Sequence, residues 1–156
     1  MRSAGLLMYR KRHDKIEVFL VHPGGPYFAK RDEGWWSVPK GVIEGDEAPI
    51  GRAIREFEEE TGRSLEACGG GAELLDLGEV TQKSGKVVHA WAFAGDWPEG
   101  LGVASNSFDL EWPPHSGRRQ EFPEVDQGRF FDLGEARRKI NSAQAAFLDR
   151  LADELS

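Results

Sequence analysis

Six glutamates lie between Gly41 and Gly62: Glu44, Glu47, Glu56, Glu58, Glu59 and Glu60. With Glu56 at zero on a helical wheel of about 100° per residue, Glu59 falls near −60°, Glu60 near +40° and Glu58 near 200°. Glu56, Glu59 and Glu60 therefore share one face, and Glu58 points away. Ile50, Ala53, Ile54 and Phe57 gather on an adjacent arc suited to a core. Glu56 and Glu60 form a like-charge i,i+4 pair, which destabilises a helix. A cation among the three carboxylates would relieve that repulsion. Hard oxygen donors at this density suit Mg²⁺ or Mn²⁺, which keep open positions for water and substrate phosphates. The competing reading is a solvated acidic face, for which only Arg52 and Arg55 are at hand as counter-charges.

A helix must position these groups, and the sequence predicts one over about Glu47 to Thr61. Asp46 reads as its N-cap, Glu47 as a favourable first-turn charge and Gly62 as its stop. Pro49 lies early enough to be tolerated.

Gly41, five residues, Glu47, seven residues, then Arg55-Glu56-Phe57-x-Glu59-Glu60-x-Gly62 resembles the Nudix box, G-x5-E-x7-R-E-U-x-E-E-x-G-U. Every fixed position is matched. The departure is Arg63 at the last apolar position, where Leu65 can supply the missing contact. Trp36-Ser37-Val38-Pro39-Lys40 also resembles the lead-in common in that family. More weakly, Lys83–Trp91 and Glu111-Trp112-Pro113-Pro114-x-Ser116-Gly117 are similar to segments of bacterial MutT-type proteins described as predicted NTP pyrophosphohydrolases.

The resemblance implies an α/β fold, the Nudix α/β/α sandwich with a mixed β-sheet and the box as a loop–helix–loop at the sheet edge. It implies a metal-dependent pyrophosphohydrolase cleaving a phosphoanhydride bond in a nucleoside or dinucleoside polyphosphate. A diphosphoinositol phosphate, a nucleotide sugar and a non-catalytic nucleotide-binding role are the alternatives. The last expects lost box carboxylates, and this chain keeps them all. A Nudix-fold isomerase acting on prenyl diphosphates would want a catalytic cysteine, and Cys68 is badly placed for that. Glu56, Glu59 and Glu60 become the implied metal ligands, with a backbone carbonyl of Lys40 or Gly41. Glu56 is alternatively the base. Arg55 is implied to orient a box glutamate, and its simpler role is an ion pair with Glu59.

Outside the box, Glu121 and Glu124 flank Phe122-Pro123, and Pro123 stiffens a loop that can hold a carboxylate in place. Glu124 is the preferred catalytic candidate. His89 is a weaker candidate for phosphate contact. Lys83, Lys86 and Arg118 lie on turns of an acidic chain and read as a phosphate-binding rim, with Lys40 and the Lys30-Arg31 pair nearby in sequence to other site loops. Tyr27, Phe28, Trp35, Trp36 and Trp112 can offer a face to a base. For Trp36, core packing is the competing role.

The 156 residues suggest a single domain over 1–156, long enough for a sizeable core. The net charge of −7 argues against non-specific nucleic-acid binding, but not against a metal-bound nucleotide. A phosphorylated small molecule is the expected partner. One cysteine excludes an intramolecular disulfide. No apolar stretch reads as a signal or membrane span, so a cytoplasmic location is expected.

Strands are expected at Ser3–Arg10, Ile16–His22 and Trp36–Val38, and a hairpin at Glu73–Gln82 with Lys86–Ala94. Asp96–Pro114 reads as a long loop with one short strand. Further strand fragments are expected at Gly117–Phe122 and Arg129–Asp132, and helices at Glu135–Ile140 and Ala143–Leu151.

Overall fold

The computed structural model describes residues 1–71 and 73–156. The strands are β1 (Arg2–Arg12), β2 (Lys15–Pro23), β3 (Lys40–Val42), β4 (Leu75–Thr81), β5 (Val87–Ala94), β6 (Ser107–Glu111), β7 (Arg119–Pro123) and β8 (Val125–Asp132). The helices are α1 (Pro49–Thr61), α2 (Leu133–Lys139) and α3 (Ala145–Glu154), with a short 3₁₀ turn at Ser142–Gln144.

The main sheet runs β4-β5-β1-β2-β8, with β3 also paired to β1. β1 and β5 are parallel, while the β1–β2, β2–β8 and β4–β5 pairs are antiparallel. The sheet is thus mixed, as expected. Alternation along the strands divides the core between its two faces. Ala4, Leu6 and Met8 of β1 join Phe19, Val21, Trp91 and Phe93 against Ala53 and Phe57 of α1. Leu7, Val18, Leu20, Val88 and Ala90 pack on the other face with Ala136, Phe147, Leu148 and Leu151. This is an α/β/α sandwich. No helix among the described residues is long and apolar enough to cross a membrane.

The β1–β2 connection is a two-residue turn, with His13 and Asp14 at φ of 52° and 62°. That hand matches the twist of the flanking strands. β1 then changes partners. Its distal half pairs with β2 from Tyr9 to Arg12, and its first residues, Ser3–Gly5, pair with β3. The segment around Ser37 fills the gap between them, with Val21 N–H donating to Ser37 O at 2.9 Å and Leu6 N–H to Pro39 O at 3.2 Å. The split opens a cleft beside β3 and α1.

Several expected boundaries move. Trp36–Val38 is not a regular strand. It makes single bridges, Ser37 to Val21 and Trp36 to Ile140, and the strand proper begins after Pro39, inside what reads as the box loop. Proline cannot donate to a ladder, so pairing is interrupted there. Asp46 does not cap α1. Ala48 takes that position with ψ of 132° and no side-chain bond, and Pro49 is the first helical residue. A residue before proline is driven to extended backbone, which fixes the start. Gly62 ends the helix in the left-handed region at φ 88°, as expected. Ile50 is exposed rather than in the apolar arc, whereas Ala53 and Phe57 are fully buried. Leu65 is buried in the α1-side core, the contact that Arg63 cannot make.

Candidate active site

The site is built from the box outward. Glu47 stands in the loop before α1 and gathers three donors. The Glu44 amide reaches its Oε1 at 2.7 Å, Arg52 Nε reaches Oε1 at 2.6 Å, and Arg55 Nη2 reaches Oε2 at 2.8 Å. These bonds, the Glu44 amide foremost, hold its carboxyl down at about 2. Arg55 does not pair with Glu59; Glu47 is its partner. Arg52 was not distinguished by sequence, yet it is the buried arginine of the site. Its Nη1 donates to Glu56 Oε1 at 2.8 Å, and Glu44 lies 3.5 Å from its Nη2. Its one-turn spacing from Glu56 was the available signal.

Glu56 rests against the backbone of Gly41. A Cβ there would lie 2.1 Å from Glu56 Cδ. Gly41 is therefore glycine for close approach. Gly41→Ala is expected to leave the fold intact and lower turnover by about tenfold or more, since the flexible Glu56 carboxylate is what must move. Steady-state kinetics and a thermal melt check this together.

Glu60 is half-buried, and its carboxyl is pushed up to about 8. Burial is the main cause, with Glu56 and Glu124 adding repulsion, while Lys40 and its amide oppose the shift. Burial also raises Glu124, reinforced by Glu56 and Glu59. The late-loop carboxylate thus sits in the field of the box. Burial and neighbouring Lys86 lower the Lys40 ammonium, with Glu60 and Glu56 working the other way. Glu58 is exposed, as the wheel predicts. Glu58→Gln is expected to keep most of the activity; a loss as deep as that of Glu59→Gln would mean the functional face has been misassigned.

Glu60, Glu124, Lys40 and Lys86 line one cleft of about 410 Å³ with Phe28, Trp35 and Trp36. Trp36 is also a core residue, 3 % exposed, whose Nε1 donates to Asp32 at 2.9 Å. The structure does not bring every candidate here. Lys83 and Arg118 stand exposed on turns outside the cleft wall, and Glu121 is exposed on β7. Tyr27 and Trp112 pack on each other instead, 5.3 Å between centroids. Lys30 and Arg31 border a separate depression. His89 pairs with Asp76 at 2.7 Å and stacks on Trp91. Cys68 is buried and free. Sequence reasoning missed Gln82, Asn141 and Gln144, which complete the cleft wall.

Among the described residues, no three acidic, histidine or cysteine side chains are already drawn into a cation cage. Glu56 is turned to Arg52, and Glu60 to the Lys40 amide. The donor set still fits a hard divalent ion completed by water and substrate oxygens: all are carboxylates, and Glu60 and Glu124 carry electrostatic strain that a cation would relieve.

A mixed sheet between helices, with a cleft that holds Glu60 and Glu124 beside the point where β1 changes partners, is the frame of this site. The NUDIX domain family model matches residues 1–151, and the chain belongs to the Nudix family, a family of hydrolases acting on acid anhydrides. Members of this family generally use divalent metals such as Mg²⁺. No curated protein sequence matches the chain. Among solved structures, a C. elegans Ap4A hydrolase in a binary complex is similar at TM-score 0.66 and 22% identity, covering 99% of this chain and 96% of that one. The NUDIX domain of Shewanella oneidensis NrtR, complexed with ADP ribose, is similar at TM-score 0.63 and 13% identity, covering 100% and 88%. A MutT protein from Methanosarcina mazei Go1 follows at TM-score 0.60 and 18% identity, covering 100% and 95%. At these identities the likeness concerns the fold.

Proposed function

We propose that the chain, acting as one domain, hydrolyses a phosphoanhydride bond of a nucleoside or dinucleoside polyphosphate with Mg²⁺ or Mn²⁺. The observation that carries this is the single cleft in which Glu60 and Glu124 face Lys40 and Lys86 beside Phe28 and Trp35. Similarity to an Ap4A hydrolase and to a NUDIX domain complexed with ADP ribose is in keeping with a nucleotide-type substrate. The −7 charge favours a small phosphorylated partner over a stable nucleic-acid complex.

Glu56, Glu59 and Glu60, with the Gly41 carbonyl, would hold the ion. When bound, it would neutralise phosphate charge and acidify a coordinated water. Glu124, with its raised affinity for protons, is placed to take the proton of the attacking water; Glu56 is the alternative base. Arg55 holds Glu47, and Arg52 holds Glu47 and Glu56, so the loop and the ligand helix keep one register. Lys40 and Lys86 neutralise the phosphate chain, and Trp36 supports the cleft wall.

The test is phosphate or pyrophosphate release from nucleoside triphosphates, dinucleoside polyphosphates, diphosphoinositol phosphates and nucleotide sugars, with Mg²⁺ or Mn²⁺ and with chelator. Activity confined to nucleotide sugars or inositol compounds would overturn the substrate class. Lys86→Ala is expected to raise KM several-fold, more than it lowers kcat, and the effect should shrink at high salt. Lys83 and Arg118 reach only a substrate long enough to leave the cleft. Their alanine variants should raise KM for dinucleoside polyphosphates and not for triphosphates.

A further inference from the structure

β6 and β7 form a two-stranded sheet outside the main one, so both strands are edges. A hairpin of two strands is only marginally stable by itself. One face of this one is anchored on the loop after β2: Phe108 lies over Gly25, and Trp112, just past β6, packs on Tyr27. The other face is exposed and carries Asp109 and Glu111 on β6, and Arg119 and Glu121 on β7. Asp109 stands directly across from Glu121. Like charges so opposed destabilise a sheet. Asp109, Arg119 and Glu121 have no ion-pair partner among the described residues.

The bonding phase of β7 is fixed at both ends of the hairpin. Glu124 N–H donates to Asn106 O at 2.8 Å, and Trp112 N–H donates to Arg118 O at 2.9 Å. Antiparallel bonding alternates along a strand, so Gln120 and Phe122 turn their backbone N–H and C=O groups toward β6. Arg119 and Glu121 turn theirs outward, and none of these four groups bonds to another described residue. Charge on an edge strand ordinarily repels a second chain. Here the two outward residues carry opposite charges, which makes the edge complementary to itself in one register. A second copy pairing antiparallel about a two-fold axis matches the bonding phase when centred on Arg119, Gln120 or Glu121. Centring on Arg119 or on Glu121 sets that residue against its own copy. Centring on Gln120 sets each Arg119 against Glu121 of the other copy, so that four backbone bonds close and Glu121 gains a cation to offset Asp109. Pro123 has no N–H to extend the ladder, which ends there. The outward residues of β6 are Ser107, Asp109 and Glu111, which offer a second copy no cation. We propose that the free edge of β7 is a homodimer interface, in which two copies pair antiparallel about Gln120 into a four-stranded sheet. Neither Arg119 nor Glu121 lines the cleft, so the interface is independent of the hydrolytic reading.

Sedimentation velocity from about 1 μM to about 1 mM should show a concentration-dependent dimer of the full chain, weak because the contact is small and polar. Arg119→Glu and Glu121→Arg each set like charges against one another at both pairs of the contact. Each should weaken the dimer about tenfold or more. Glu121→Arg also gives Asp109 an opposite charge within its own chain, so its loss of the dimer cannot be laid to a melted hairpin. Mixed in equal amounts, the two variants again set opposite charges at both pairs, and a mixed dimer should form about as readily as that of the wild type. A wild type that stays monomeric to about 1 mM would overturn the interface. Single variants that dimerise like the wild type would overturn it too, since they would place the contact on another surface. A mixture that stays as monomeric as its components would reject the pairing about Gln120.

Discussion

Glu60→Gln is expected to make the metal-free protein more stable at pH 8 and lower its turnover by about 10²-fold or more. Both effects come from one carboxyl. Its ordinary value is 4.5, and the folded chain holds it at about 8, mainly through burial. Between those values the folded state binds a proton that the unfolded state has released. Stability contributed by this group therefore falls as pH rises from about 4.5 to about 8. Glutamine does not titrate, so the advantage of the variant should be small at pH 5, grow across that window and level off above it, reaching several degrees in melting temperature. Mg²⁺ or Mn²⁺ should raise the melting temperature of the wild type at pH 8 and not that of Glu60→Gln. The catalytic loss is that of one preorganised electrostatic group, and Glu59→Gln should share it. A melting difference that ignores pH would remove burial as the cause. Near-normal turnover of both variants at saturating cation would remove them as ligands.

What the sequence showed depended on how far apart the cooperating residues lie. The shared face of Glu56, Glu59 and Glu60, the exposure of Glu58 and the glycine stop at Gly62 follow from helical periodicity over a few residues, and the structure has α1 and its Gly62 end where that periodicity puts them. Pro123 drew attention to Glu124, which the structure brings into the field of the box. The start of α1 was misread because Asp46 looks like a cap in isolation, whereas Pro49 dictates the backbone before it and Glu47 is held by two arginines outside the helix. The glutamines of the cleft wall were not legible at all. Gln82 and Gln144 meet across 62 residues of chain, and nothing local marks either one. Lys83 and Lys86 looked equivalent on their turn, yet only Lys86 lines the cleft. Turn geometry, not composition, separates them.

Arg52→Ala should destabilise the protein more than any other single change among the arginines of the site, because it removes the shared partner of Glu47 and Glu56. The Arg52 side chain is only 10% exposed and spans Glu47 and Glu56, themselves 22% and 13% exposed. Removing it leaves Glu56 without its ion-pair partner beside Glu60, where negative charge is already hard to bear, while Glu47 keeps Arg55 and the Glu44 amide. Arg55 offers the internal comparison. Its side chain is half in water and pairs with Glu47 alone. Arg55→Ala should therefore cost no more than about 1 kcal/mol, as exposed pairs do. Urea titrations should show the Arg52→Ala midpoint well below that of Arg55→Ala with the slope unchanged. Saturating divalent ion should recover part of the Arg52→Ala loss, because it supplies positive charge to the same carboxylates. Equal midpoints for the two variants would show that Arg52 is not the residue that lets the carboxylates of this site approach one another.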